Sequence, residues 1–254
     1  MPNPVIDCLM NHRSIRKFKP QALEAETLET LLQAGVRAAS AGNLQHYSLI
    51  VVDDPEKKKA LLDWPEAGPV TYIIAAVDEY RFKRWAELSK APFYFDQAVN
   101  LFIGYWDAIV ALHNIQVAAE SLGLGTVYIG TILSSDLNAI LGTPEYVFPA
   151  GMLVVGYPDE TPELRPRLPL QAVVHYNGYR IPSDDEVNAF FLEKNKLWNS
   201  LPASRREKLI EQGITNMAQR TTLGHYTEEF IAGESKAILE NLKKAGFKLG
   251  EPGA

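Results

Sequence analysis

The longest run of apolar periodicity lies in residues 97–131. Val99, Phe102, Ile103, Trp106, Ile109, Val110, Val117 and Ala118 recur there at the three-then-four spacing of a buried helix face. Asn100, Asp107, His113, Asn114, Gln116 and Glu120 interrupt that run. A bilayer-spanning helix would bury these polar groups in hydrocarbon, so the pattern predicts a core helix and no membrane span. Gly123 or Gly125 can take the positive φ that ends the helix, and the TVYI that follows has the β-branched and aromatic residues of a strand. A helix this apolar needs cover on several sides. Either the other helices of one domain supply it or a second copy of the chain does, and the second case makes an obligate dimer.

Around this spine the chain reads in order. Helical spacing runs to Met10 and gives way to a turn that ends at Pro20. Residues 23–39 form an amphipathic helix with Leu28, Leu31, Leu32 and Val36 on one face, followed by a small polar loop, Ser40-Ala41-Gly42-Asn43-Leu44-Gln45. YSLIVV at 47–52 is a buried strand, residues 57–62 a short helix, and 69–78 a second strand. Residues 79–95 mix charge with aromatics without a clean period, which fits a lid, a partner-facing segment or an ordinary surface helix. Ser134-Ser135-Asp136 caps a helix that ends at Gly142, and PAGMLVVGYPDE supplies another strand. Prolines stiffen residues 163–169, and a charged, mostly helical arm completes the chain. Strands separated by helices in this way predict an α/β or α+β sandwich.

Composition narrows the function. The 254 residues are 46% hydrophobic, enough for one large or two small domains, and a net charge of −6 argues against general affinity for nucleic acid or anionic membrane. One cysteine excludes an intramolecular disulfide, and MPNPVIDCLMNHRS lacks the charged head and apolar core of a secretory signal, so the cytoplasm is the expected compartment. Cys8, beside Leu9 and Met10, reads as a packed thiol. In this acidic chain the basic run of His12, Arg13, Ser14, Arg16, Lys17 and Lys19 stands out. It suits a phosphomonoester, or it is a solvated basic face; Arg165 and Arg167 make a second possible anion clamp.

Five stretches carry a family resemblance: Asn11-His12-Arg13-Ser14-Ile15-Arg16-Lys17-Phe18, the 39–45 loop, AAESLGLGTVYIG at 118–130, Gly156-Tyr157-Pro158, and Arg165-Pro166-Arg167-Leu168-Pro169-Leu170. In this order and at these spacings they resemble the FMN-dependent nitroreductase and flavin reductase superfamily, most of all its oxygen-insensitive NADPH-preferring branch, nearly from end to end. A dinucleotide fingerprint at Gly123-x-Gly125 does not fit, because these glycines follow a helix and precede a strand.

The resemblance implies an α+β fold, a nitroreductase-like sandwich of an antiparallel sheet flanked by helices. It also implies a domain-entwined homodimer with the long helix at the interface and one FMN per site between subunits. Residues 1–180 would be the FMN-binding core, and 181–254 a helical arm packing on the core or the partner subunit. By the same resemblance His12, Arg13, Ser14, Ile15 and Arg16 grip the phosphate and ribityl chain with help from Arg165 and Arg167. Ser40, Asn43 and Gln45 line the cofactor, and Tyr128, Ile129, Gly130 and Thr131 lie along the isoalloxazine edge. Arg220 or the Arg205-Arg206 pair would meet the phosphate of NADPH. No metal and no protein acid or base is implied. NADPH or NADH delivers hydride to the flavin and leaves, and a nitroaromatic, quinone or free flavin then takes the same slot, which is ping-pong alternation.

Three positions depart from the family pattern: Thr131 stands where a second glycine is usual, residues 63–68 are a short connection without a cofactor-contacting glutamine, and Arg165 replaces a lysine. The alternatives are an enzyme of this fold with specialised chemistry, such as reductive dehalogenation or flavin transformation, and a non-catalytic flavin-binding dimer.

Overall fold

The computed structural model describes residues 3–64 and 68–250. Pro65, Glu66 and Ala67 of the short 63–68 connection lie outside the described residues, as do Met1 and Pro2 at the amino-terminus. Helix α1 (Pro4–Met10) starts under an Asn3 cap whose side chain accepts from Val5 N, and α2 (Ala25–Val36) carries the amphipathic pattern. Strand β1 (Tyr47–Val52) leads through α3 (Pro55–Leu61) to β2 (Thr71–Asp78). Helix α3 begins earlier than the apolar spacing indicated, because Asp54 caps it and Pro55 occupies its first turn. The ambiguous 79–95 segment contains α4 (Tyr80–Leu88). Then come α5 (Ala98–Ser121), β3 (Gly125–Ile129), α6 (Leu137–Leu141) and β4 (Val147–Gly156). Asp136 caps α6, and Gly142 ends it in the left-handed region.

The four strands form one sheet in the order β1-β2-β4-β3, with every neighbouring pair antiparallel. Strands β2 and β4 are buried along their whole length, which is why their sequences read as continuous apolar runs. Side chains alternate between two cores. Tyr72, Ile74, Ala76, Met152 and Val154 meet Ile15, Phe18, Val127 and Ile132 on one face, while Ile73, Ala75, Leu153 and Val155 meet Leu31, Ala108, Leu112 and Ile115 of α2 and α5 on the other. Each fully buried Ile or Leu contributes roughly 1.5–3 kcal/mol of transfer free energy. The register shifts between Ala75 and Ala76, so Ala150 is passed over beside Pro149. Pro149 is tolerated because β3 pairs with β4 only from Met152 to Gly156 and asks no N–H of it.

The inward face of α5 differs from the stripe of large residues. Leu101, Gly104, Ala108, Ala111, Leu112, Ile115 and Ala119 are its buried apolar residues, joined by Asp107 and Gln116, whereas Val99, Phe102, Trp106 and Val110 are 61%, 61%, 67% and 42% exposed. Small side chains bring the helix axis close to the sheet, and the larger apolar residues are left on the opposite side. No described helix is long and apolar enough to cross a membrane.

The chain forms two compact units, one of Met1–Glu163 with Glu234–Ala254 and the other Leu164–Gly233. In the first, the last stretch is anchored by Leu242 and Phe247, buried against Val77, Leu101 and Phe148, and by Lys248 N donating to Asp96 O at 2.7 Å. The second holds α7 (Asp184–Phe190), α8 (Leu192–Lys196), α9 (Ala203–Glu211) and α10 (Met217–Gly224). Ser183 and Glu186 form a reciprocal capping box on α7, and Ile214 and Met217, just before and at the start of α10, are the buried apolar residues of this second unit. Helix α11 (Glu228–Lys244) follows, its part from Glu234 onward belonging to the first unit.

Candidate functional site

The basic run is a strap laid over the sheet edge. Ser14 pairs with Thr126 at the start of β3, Ile15 N donates to Thr126 O at 2.8 Å, and Phe18 pairs with Pro158 just beyond β4. Ile15 and Phe18 are buried, which fixes the strap and turns Arg16 and Lys17 outward to solvent. One carboxylate steadies the turn: Glu160 Oε1 accepts from Arg16 N at 2.5 Å and Lys17 N at 3.0 Å. A second steadies the strap's beginning. Glu120 Oε1 lies 2.8 Å from His12 Nδ1 and accepts from Thr126 Oγ1 at 2.7 Å and Gln116 Nε2 at 3.0 Å.

The arginines of the strap are left uncommitted. Arg13 Nε is buried with no hydrogen-bond partner, and Arg16 Nη1 reaches only Ser14 O, at 3.4 Å. Arg13 lines a cavity of about 510 Å³ together with Asn11, Glu120 and Glu160. A buried guanidinium N–H without an acceptor is costly, and an acceptor oxygen, of which a phosphate oxygen is one, satisfies it. This orphaned donor therefore fits a phosphate-bearing cofactor.

Next to the strap, β3 ends in residues that stay accessible. Tyr128, Gly130 and Thr131 are exposed and Ile129 is half-buried, while Ile132 in the following 3₁₀ turn anchors the exit. A Cβ built on Gly130 would meet nothing within 4 Å, so the space beside this glycine is open. Tyr128 is only 36% exposed, and the surrounding protein desolvates its phenol and pushes its pKa up, with the Glu120 carboxylate acting in the same sense.

The 40–45 loop is held elsewhere on α5. Asp107 takes the Ala41 and His46 amides, and Asp107 lies about 20 Å along the helix from Glu120 at 1.5 Å per residue. Ser40 Oγ accepts from Gln45 N at 2.8 Å, and Gly42, Asn43 and Gln45 all have positive φ. Arg165 and Arg167 belong to the second unit and are exposed, as is Arg205; Arg206 and Arg220 there are half-buried, with Arg220 Nη1 4.0 Å from Met217 Sδ. Within the first unit, then, the strap lies against the start of β3, the strand whose other end, at residues 128–131, is accessible.

The three carboxylates that organise these pieces, Asp107, Glu120 and Glu160, are absent from the residues the sequence singled out as ligands. Asp107 and Glu120 did leave a trace there, as polar positions inside the apolar run of α5, and both are now seen to be occupied by main-chain and side-chain donors.

An antiparallel sheet covered by helices on both faces, with a basic strap and an open strand end on one edge, defines an α+β protein with an anion-accepting site. The chain matches the Nitroreductase family over residues 9–157, more than half its length, and it belongs to that family. It is 33% identical over 243 residues to the FMN reductase (NADPH) of Bacillus subtilis, covering 89% of this chain and 97% of that protein. It resembles the solved structure of B. megaterium NfrA2, with a TM-score of 0.81, 33% identity and coverage of 98% and 100% of the two chains. The NADPH:FMN oxidoreductase of Vibrio harveyi complexed with NAD+ is similar too, with a TM-score of 0.75, 27% identity and coverage of 96% and 99%.

Proposed function

We propose that this protein is an FMN-dependent NAD(P)H oxidoreductase that reduces nitroaromatics, quinones or free flavin by alternating donor and acceptor in one site. The observation that carries the reading is the buried, unpartnered Nε of Arg13 in a strap where, among the described residues, Arg13 and Arg16 have no carboxylate partner, laid against the strand that leads to the accessible residues 128–131. Flavin reductases among the relatives support it. When bound, FMN supplies the redox chemistry, taking hydride from NAD(P)H and passing electrons to the acceptor.

The chain's own residues bind and orient. His12, Arg13, Ser14 and Arg16 hold the phosphate and ribityl chain, with Arg165 and Arg167 as further cations. Glu160 and Glu120 fix the main chain of the strap and His12, so that the backbone carrying the arginines does not have to be ordered at each binding event. Tyr128, Ile129, Gly130 and Thr131 border the ring and leave one face reachable. Ser40, Asn43 and Gln45, about 20 Å along α5 from the strap of the same chain, supply polar contacts to the flavin held by the second copy in the dimer. Arg205, Arg206 and Arg220 are the candidates for the phosphate of NADPH. The exposed stripe of Val99, Phe102, Trp106 and Val110 supports a homodimer built on α5, since so large a contiguous apolar face is rarely left in water. The acidic net charge supports a protein that binds neither nucleic acid nor anionic membrane, and the cytoplasm is the compartment we propose for it.

The test is the visible spectrum of the purified protein before and after NADPH under anaerobic conditions. Flavin bands that bleach with NADPH and return on adding a quinone or nitro compound are the expected result. A colourless protein that neither takes up FMN nor oxidises NADPH overturns the reading.

A further inference from the structure

The 40–45 loop has a conformation that its own sequence does not favour. Gly42, Asn43 and Gln45 have φ of 57°, 55° and 53°, and two of these three are not glycine. Side chains in the left-handed region cost free energy, and such residues persist where their surroundings over-determine them, typically at ligand clamps. Here the determinant comes from the middle of α5. Asp107, only 5% exposed, takes both ends of the loop: Oδ1 accepts from Ala41 N at 3.0 Å and Oδ2 from His46 N at 3.3 Å.

Other bonds close the loop from within and from the far side. Ser40 Oγ accepts from Gln45 N at 2.8 Å, and Arg81 Nη2 donates to Gln45 O at 2.7 Å and Tyr47 O at 2.8 Å. Ser40 Oγ accepts one bond inside the loop and keeps its hydrogen and a second lone pair to offer outward. Along α5 the neighbours of Asp107 on the buried side are Ala108, Ala111 and Leu112, so a carboxylate is an expensive choice for packing alone.

We propose that Asp107 is a positioning residue for the cofactor: it holds the 40–45 loop in a preformed left-handed shape that presents Ser40 and Asn43 to the flavin, without touching the flavin itself. The inference rests on the reading that this loop lines FMN. Asp107→Asn tests it with little change of volume. The amide offers one acceptor and one donor where two N–H groups converge, so one end of the loop loses its partner. The loop then has to be ordered on binding, and affinity falls while the flavin contacts themselves remain available.

The experiment is a fluorescence titration of the flavin-free full chain with FMN, for wild type, Asp107→Asn and Asp136→Asn. The last variant weakens the cap of α6, whose Asp136 Oδ1 accepts from Ala139 N, and so reports general destabilisation. The expected result is a Kd raised about tenfold or more in Asp107→Asn, with kcat retained at saturating FMN, and a Kd within about twofold of wild type in Asp136→Asn. A wild-type Kd in Asp107→Asn, or a loss that Asp136→Asn shares in proportion to its fall in Tm, overturns the proposal. Amide hydrogen exchange on the wild-type protein reads the clamp even if the variant does not fold: Ala41 and His46 N–H should be protected before FMN is added. Fast exchange at both until FMN arrives overturns preorganisation. Protection at both in a wild-type protein that binds no FMN instead overturns the functional reading and leaves the clamp without its proposed ligand.

Discussion

Ile15 and Gly125 meet with no room for a methyl group between them. A Cβ on Gly125 would stand 2.9 Å from the Ile15 side chain, and the adjoining Ile15 N donates to Thr126 O at 2.8 Å. The second glycine of the SLGLG run is therefore a seat for the strap, while the first, Gly123 at φ 78°, ends α5. Gly125→Ala should lift Ile15 and with it the His12–Arg16 cations. A stability loss of about 1–3 kcal/mol in urea denaturation is expected, as for other overpacked core sites, together with weaker FMN binding. A variant as stable as wild type would show that the strap can yield without cost.

Neutralising the anion site should be felt by the flavin more than by the fold. Arg13→Ala and Arg16→Ala each remove a cation with no carboxylate partner among the described residues, so a fall in FMN affinity of about tenfold or more is expected with little change in Tm. Unchanged binding in both variants would remove the strap from the site.

The open face of α5 makes a prediction about assembly. Trp106→Glu places a charge in the middle of the exposed stripe, and sedimentation equilibrium should move from dimer toward monomer. Wild-type protein that sediments at the 28.3 kDa of one chain would rule out the dimer reading.

His46 and Glu79 form a buried pair, with Nδ1 3.0 Å from Oε2, and Phe95 stacks on the imidazole at 5.7 Å. Its hydrogen bond to Glu79 raises His46 above the usual 6.5, and burial raises the Glu79 carboxyl. Both shifts mean that the folded pair keeps protons the unfolded chain releases. Its stabilising contribution is thus present on the acid side and lost as pH rises from the usual values through the folded ones. Unfolding free energies measured from about pH 6 to about pH 9 should fall more steeply for wild type than for Glu79→Gln. Parallel curves would show that the pair holds no proton linked to folding.

Lys90, just past α4, has φ 55° while Ala91 N donates back to Ala86 O at 2.8 Å, the geometry in which helices usually place glycine. Lys90→Gly should raise stability by about 0.5–1 kcal/mol, seen as a higher urea midpoint at unchanged slope. A lower midpoint would mean that the lysine side chain makes a contact worth more than the strain.

How far the sequence reaches depends on whether a feature is local. The ends of β1 at Tyr47 and Val52 could be read because a loop and an Asp-Asp-Pro turn bracket a short apolar run. The existence of α5 was equally plain, but not its inward side: a helix that is apolar nearly all round gives periodicity no preferred direction, and Gly104, Ala108 and Ala111 outrank Phe102 and Trp106 only once a sheet is there to approach. Helix α4 stayed undecided because Phe82, Phe93 and Phe95 find their meaning in a cluster with one another and His46. At the site, the cations were legible as a run. The carboxylates that order them were not, since Glu160 reaches Arg16 N and Glu120 reaches His12 across more than a hundred residues of chain.

The path of the chain has a consequence for how this protein can be cut and varied. Residues of Leu164–Gly233 form an excursion whose two ends both return to the unit that contains the sheet. Truncation from the carboxyl end cannot remove it cleanly, since Leu242 and Phe247 would be lost first and the core opened at Val77 and Phe148. A break inside the excursion, by contrast, leaves two fragments that each retain part of the same core. Insertions, deletions or exchanges between relatives within this stretch leave every strand register and the His12–Arg16 strap intact, so the excursion is the part of the molecule that can be rewritten without touching the sheet, provided the arginines proposed for FMN and NADPH are kept.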